Sequence, residues 1–137
     1  MSQKTIRSLF ESRLKAWASA RVPALPIAFE NAAFTPTDKA YLAAYMLPAD
    51  TTSRDLGGTL RNRLGVFQIN VVCPIGKGPA EGQSIAAELD ALFPAYIRLT
   101  SGAFTVQTTS PTRERGAIQT DDRYTVPVDF TYRSDST

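Results

Sequence analysis

Nucleophilic and acid–base chemistry has few candidate residues in this sequence. The 137 residues include no histidine, which excludes Ser-His-Asp and Cys-His catalytic arrangements and argues against the common zinc sites. The single cysteine, Cys73, ends an apolar run without a CxxC motif, a context that predicts a buried structural thiol. Asp121 and Asp122 are the only adjacent acids, but neighbours in an extended chain point to opposite faces. We therefore expect no enzyme activity, no metal site and no cofactor.

A glycine-rich segment, Gly76-Lys77-Gly78, lies between a predicted strand and a predicted helix. Phosphate-binding loops occupy such positions, because backbone N–H groups at a helix N-terminus attract anions. The spacing here matches neither the G-x-x-x-x-G-K-[ST] pattern nor the G-x-G-x-x-G pattern. A turn followed by a helix, with Gly78 as the N-cap and Pro79 at the first helical position, explains the same residues.

Charged residues are concentrated in two hydrophilic segments, residues 49–62 and residues 109–122. The first contains the Gly57-Gly58 pair, which permits a tight reversal of the chain. Mixed charge suits ion pairs between subunits, which give register more than affinity, and it is a poor footprint for nucleic acid. An ordinary solvated loop explains the same pattern, and both interpretations stay open. The candidate interface residues are Arg54, Asp55, Arg61, Arg63, Arg113, Glu114, Arg115, Asp121 and Asp122.

The sequence predicts two helices. Apolar residues at steps of three and four predict an amphipathic helix from Ser2 to Ala20, with Trp17 as a core anchor. A second helix is predicted from Pro79 until Pro94 ends it. The residues expected to face the core are Ile6, Leu9, Phe10, Leu14 and Trp17 in the first helix and Ile85, Leu89, Leu92 and Phe93 in the second.

Runs of β-forming residues predict the strands. They are Ile27 to Phe29, Tyr41 to Leu47, Arg63 to Cys73, Tyr96 to Leu99, Ala103 to Thr108 and Arg123 to Arg133. Pro48 is expected to end the second strand, which should pair antiparallel with the third in a long hairpin. Pro127 lacks a backbone donor, which places the last strand at an edge or at a bulge.

Together these elements predict one domain over residues 1–137 with an α+β fold. Its sheet is expected to be antiparallel or mixed, with about five strands and two α-helices packed on one face. No stretch approaches the roughly 20 apolar residues that span a bilayer, so we expect no membrane association. The net charge of +2 is weak support for nucleic-acid binding, although residues 1–21 hold five Lys or Arg and one Glu. A small nucleic-acid-binding domain that uses this basic first helix stays an alternative.

The order of short motifs along almost the whole chain resembles the tail terminator, or tail completion, proteins of long-tailed bacteriophages. The matching pieces, in order, are Ile6-Arg7-Ser8-Leu9-Phe10-Glu11, Phe29-Glu30-Asn31, Phe34-Thr35-Pro36, Tyr41-Leu42, Gly65-Val66-Phe67-Gln68-Ile69-Asn70-Val71, Pro74-Ile75-Gly76-Lys77-Gly78, Leu92-Phe93-Pro94, Tyr124-Thr125-Val126-Pro127-Val128 and Tyr132-Arg133.

The resemblance implies a structural virion protein rather than an enzyme. Subunits of such families form a homo-oligomeric ring, expected to be a hexamer, at the head-proximal end of the tail tube. The ring ends tube polymerisation and offers a surface for joining the head. The implied partners are further copies of the chain, the tail tube protein and the head-tail connector protein, with nucleic acid only passing through the ring. Assembly is expected in the cytoplasm of the bacterial host, and a head-closure or connector protein of the same virion stays an alternative.

Overall fold

The computed structural model describes residues 3–36, 38–53, 61–76 and 78–136. The elements, in chain order, are α1 (Gln3–Ala20), β1 (Ile27–Phe29), β2 (Tyr41–Ser53), β3 (Arg61–Pro74), α2 (Ala80–Leu92), β4 (Arg98–Ser101), β5 (Phe104–Thr108), β6 (Arg113–Glu114), β7 (Ile118–Gln119) and β8 (Arg123–Ser136). None of the described helices is long and apolar enough to cross a membrane.

All the described strands belong to one mixed sheet in the order β1-β2-β3-β8-β5-β4, with β6 and β7 also paired to β8. β1 runs parallel to β2, and the other pairs are antiparallel. The α+β class is therefore confirmed. The sheet has eight strands, and the expectation of about five is roughly compatible with it. Two of the eight, β6 and β7, are two-residue bridges within a segment whose polar sequence predicts only a loop.

The hairpin of β2 and β3 is longer than the sequence predicts. Pro48 does not end β2, which continues to Ser53 and pairs as far as Arg61. The register shifts between Pro48 and Thr51, and such an irregularity tolerates a residue without a backbone donor. The ends of the predicted polar link, residues 49–62, are therefore strand, whereas the Gly57-Gly58 pair lies outside the described residues.

β8 is an inner strand, so the edge position predicted from Pro127 is wrong. β3 pairs with β8 in unbroken register on one side, and β5, β6 and β7 pair on the other. The Pro127 carbonyl accepts a hydrogen bond from Arg115 N–H over 2.8 Å, so its ring nitrogen faces the same side. Strand pairing on that side of β8 is interrupted between Glu114 and Ile118. The absence of an N–H at Pro127 therefore removes no hydrogen bond between β8 and β3.

The hydrophobic core lies between the two helices and one face of the sheet. Phe10 of α1 places its ring 5.2 Å from both Phe67 and Phe130 and 5.5 Å from Tyr132, measured between centroids. From α2, Gly82 lies beside Val126. Alternate residues of β8 share one face, so both helices cover the same side of the sheet, as predicted.

Details at the helices differ from prediction. Trp17 is only partly buried at the margin of the core, because Ala18 occupies the central stripe of α1 with Ile6, Phe10 and Leu14. Pro79, not Gly78, is the N-cap of α2, and no side chain caps it. Gly78 has φ +78°, a conformation that favours glycine, and so belongs to the turn before the cap.

Candidate assembly surfaces

One charged cluster joins two predicted interface residues, Arg113 and Arg115, to Asp129, which the sequence patterns did not indicate. Arg113 Nε donates to Asp129 Oδ1 over 3.0 Å, and Arg115 Nε donates to Asp129 Oδ2 over 2.8 Å. The Asp129 side chain is 8% exposed, whereas those of Arg113 and Arg115 are 42% and 53% exposed. The hydrogen bond to Asp129 raises the pKa of the Arg115 guanidinium.

This cluster attaches residues 113–115 to the outer face of the sheet, opposite the helices. Arg113 lies directly across from Asp129 in the β6–β8 register, and directly opposed residues share a face. Asp129 lies between two core residues of β8, Val128 and Phe130. A single acid at an outward position of an alternating strand was the signal that could have identified it. The two arginines have a partner in their own chain, and their role between subunits stays a prediction.

The Asp121–Asp122 pair lies in the turn between β7 and β8, and both residues are exposed. Thr120 Oγ1 donates to Asp122 Oδ1 over 3.1 Å, and Thr120 N–H donates to the Arg123 carbonyl over 2.9 Å. The turn therefore has a defined shape and presents acidic groups to solvent. Glu114 is also exposed, and it lies directly across from Val128 in the β6–β8 register.

Two of the predicted interface arginines of the first hydrophilic segment lie in the hairpin. Arg61 and Arg63 belong to β3, where they pair with Ser53 and Thr51 of β2. Arg63 is half-buried. The remaining candidates, Arg54 and Asp55, lie outside the described residues.

Exposed apolar side chains lie on the outer face of the hairpin, opposite the helices. Tyr45, Leu47 and Leu64 are 38%, 49% and 36% exposed. Leu47 lies opposite Val66 in the β2–β3 register, so the three form one strip with Val66 rather than isolated positions. Contiguous exposed apolar surface is typical of interaction sites.

Two of the five cations in residues 1–21, Arg7 and Arg21, form ion pairs within the chain. Arg7 forms ion pairs with Glu30 at 3.0 Å and Glu11 at 3.5 Å. Arg21 binds Glu88 through Nη2 at 2.8 Å, and this contact lowers the pKa of Glu88. These ion pairs reduce the net positive charge that this segment offers to nucleic acid.

Cys73 and the glycine-rich turn at Gly76 and Gly78 are the sequence features with remaining potential for chemistry. Cys73 is 2% exposed, and burial raises the pKa of its thiol to about 11, which confirms a buried structural thiol. Gly76 and Gly78 have φ of +86° and +78°, as a tight turn requires, and Lys77 lies outside the described residues. Within the described ranges, no group of three or more Cys, Asp or Glu side chains is placed to hold a metal ion.

Comparison with known proteins identifies relatives of the whole domain. The family model for phage tail terminator protein matches residues 5–132. A solved structure with 47% sequence identity superposes with a TM-score of 0.84, covering 98% of this chain and 96% of its own. The name under which that structure is known states no activity, ligand or partner. The comparison with curated proteins gives no match.

Proposed function

The chain belongs to the phage tail terminator family, and from this membership we propose that it caps the tail tube as a homo-oligomeric ring. The family gives it a structural role in the phage tail and suggests that this role is not enzymatic. In the proposal the ring stops tube polymerisation at the head-proximal end and then joins the head. The match over residues 5–132 is the observation that carries the proposal, because it spans all of the described fold except the first residues of α1 and the end of β8.

The physical demands on such a ring fit the surfaces of this subunit. A closed ring needs two different patches that meet head to tail with a fixed rotation. A terminator also needs one face that binds the tube and another that accepts no further tube subunit. Exposed mixed charge at residues 113–122 and the apolar strip beside Leu47 supply distinct surfaces on a rigid sheet. The partners in this proposal are further copies, the tube protein and the head-tail connector, while DNA only passes through.

The location of the chain in the virion tests this proposal. Phage that lacks the chain is complemented with a copy that carries a small tag, and the tag is located on purified particles by electron microscopy. We expect label at the junction of tail and head, on the tail side, and also on free tails that have not joined a head. Label on tail-less heads instead would identify a head-closure or connector protein, and unlabelled particles would contradict any virion role.

Substitution of three arginines tests whether the first hydrophilic segment belongs to the tube-binding surface. Replacing Arg54, Arg61 and Arg63 with Glu is expected to abolish tail completion while the purified subunit still unfolds cooperatively. The matched control reverses two exposed charges on α1, Lys4→Glu and Lys15→Glu, which leaves completion unchanged. Full infectivity of the triple variant would contradict a role of these arginines in tube binding, and it would leave the family assignment unaffected.

A further inference from the structure

Three polar residues form a straight row across the end of the sheet. Arg98 of β4 lies opposite Gln107 of β5, and Gln107 lies opposite Arg133 of β8. Directly opposed residues share a face, so both arginines stand on one side of the sheet, about 10 Å apart across two strand spacings. With Thr105 and Asp135 they line an open cleft of about 340 Å³.

The donors in this cleft exceed its acceptors. Arg133 Nη2 donates to Asp135 Oδ2 over 3.1 Å, but Arg133 Nε is buried and has no hydrogen-bond partner among the described residues. Arg98 is exposed, and its side chain makes no hydrogen bond or ion pair with the described residues. A guanidinium stays charged at any physiological pH, so two cations face one carboxylate. A buried, unpaired N–H favours an incoming acceptor that can satisfy it.

A complementary group lies at the opposite end of the same strand. The Asp121–Asp122 turn precedes Arg123, the first residue of β8, whereas Arg133 lies ten residues further along. At about 3.3 Å per residue, roughly 33 Å separate the turn from the cleft, so the two cannot meet within one copy. Asp121 makes no hydrogen bond or ion pair with the described residues, and its carboxylate is exposed.

We propose that the Asp121–Asp122 turn of one copy docks into the Arg98–Arg133 cleft of the next copy. Two carboxylates then meet two guanidinium groups in a head-to-tail contact, the kind that closes a ring after a fixed rotation. The inference rests on the proposed function for its ring and adds the surfaces that join neighbouring subunits. A duplex phosphate backbone fits this cleft less well, because Asp135 stands in it and would repel a dense array of phosphates.

Charge reversal tests the contact in solution. Sedimentation equilibrium of the full chain is measured up to its solubility limit for the wild type, for Arg98→Asp, and for Asp121→Arg with Asp122→Arg. Each reversal is expected to weaken self-association about tenfold or more, and their combination in one chain is expected to restore it. The exposed reversal Lys15→Glu on α1 is the control and leaves self-association unchanged.

A second measurement does not depend on tight association. Arg98→Lys keeps the charge and supplies an amine that a zero-length carbodiimide can couple to a carboxylate. In a mixture of isotopically heavy and light copies, we expect peptides that join Lys at position 98 to the Asp121–Asp122 turn of the other copy. Self-association that survives reversal, or cross-links only to other segments, overturns the proposal. Loss of duplex DNA binding in Arg98→Asp with self-association unchanged also overturns it, in favour of a phosphate site.

Failure of the docking contact can be distinguished from failure of the proposed terminator role. Tail tubes capped normally by both charge-reversal variants would contradict the docking contact and leave the terminator role intact. Copies that cross-link as expected, but never cap a tube, would support the contact and contradict the terminator role.

Discussion

Tyr132 of β8 lies across Gly65 of β3, with its Oη and ring in the space that a Cβ at position 65 would occupy. Tyr132 is 1% exposed, and its Oη donates to Gln3 Oε1 at the start of α1 over 3.0 Å. Burial raises the pKa of this phenol to about 12. One tyrosine thus contacts the hairpin, the central strand and the first helix.

Replacing Gly65 with Ala is expected to lower the free energy of unfolding by about 1–3 kcal/mol, because the new methyl group must displace a buried ring. Urea unfolding followed by the fluorescence of Trp17 measures the loss. Gly116→Ala is the matched control, since no atom lies within 4 Å of a Cβ there and the change should be nearly neutral. Equal stabilities of the two variants would contradict the close contact.

Asp129→Asn is expected to loosen the segment that carries the predicted interface residues. The substitution removes the charge that holds Arg113 and Arg115, while the exposed position of both arginines limits the global loss to about 1 kcal/mol. The measurement is hydrogen exchange of the Arg115 amide, which donates to the Pro127 carbonyl over 2.8 Å. It should exchange faster in Asp129→Asn and at the wild-type rate in the control Asp121→Asn.

Stability is expected to fall in acid partly through Glu30. Its carboxylate accepts hydrogen bonds from Met46 N–H at 2.6 Å and Arg7 at 3.0 Å, which hold the pKa of Glu30 below its usual value of 4.5. A lowered folded pKa means that this stabilisation is present above the unfolded pKa and is lost as pH falls through the folded one.

The variant Glu30→Gln should therefore lose less stability than the wild type between neutral pH and pH about 3, by no more than about 1 kcal/mol for this partly exposed group. Unfolding free energies across that range measure the difference. Glu114→Gln, at an exposed position, is the control. A parallel pH profile for Glu30→Gln and the wild type would contradict the role of these hydrogen bonds.

Cys73 is expected to report global unfolding. With 2% exposure and a thiol pKa of about 11, it should not react with an aromatic disulfide reagent at pH about 8 in native protein. Unfolding in urea should make one thiol per chain react completely. Rapid reaction of the native protein would show that β3 opens locally at its Cys73 end.

The fold could be predicted where periodicity is strong, as in α1 and in β8 from Tyr124 to Tyr132. Pro48 and Pro127 were misinterpreted because a proline's effect depends on which side of the strand its nitrogen faces. That side is fixed by partners distant in sequence, such as Arg115. The two-residue strands β6 and β7 carry no periodicity of their own, and only their pairing with β8 defines them.

The charged surfaces were predictable as segments but not as contacts. Sequence patterns selected Arg113 and Arg115 but not Asp129, because their partner lies on another strand. Arg98 and Arg133 are far apart in the chain and carry no motif. Only the registers of β4, β5 and β8 bring them into one row.

The central claim, that the chain terminates the tail tube, is tested most directly by electron microscopy of tubes assembled from the tube protein of the same phage. Assembly is compared with and without the chain, and tube length and tube ends are scored. We expect tubes to stop growing when the chain is added and to carry one additional ring at a single end. Unchanged lengths and bare ends at saturating concentrations of the folded chain would contradict it.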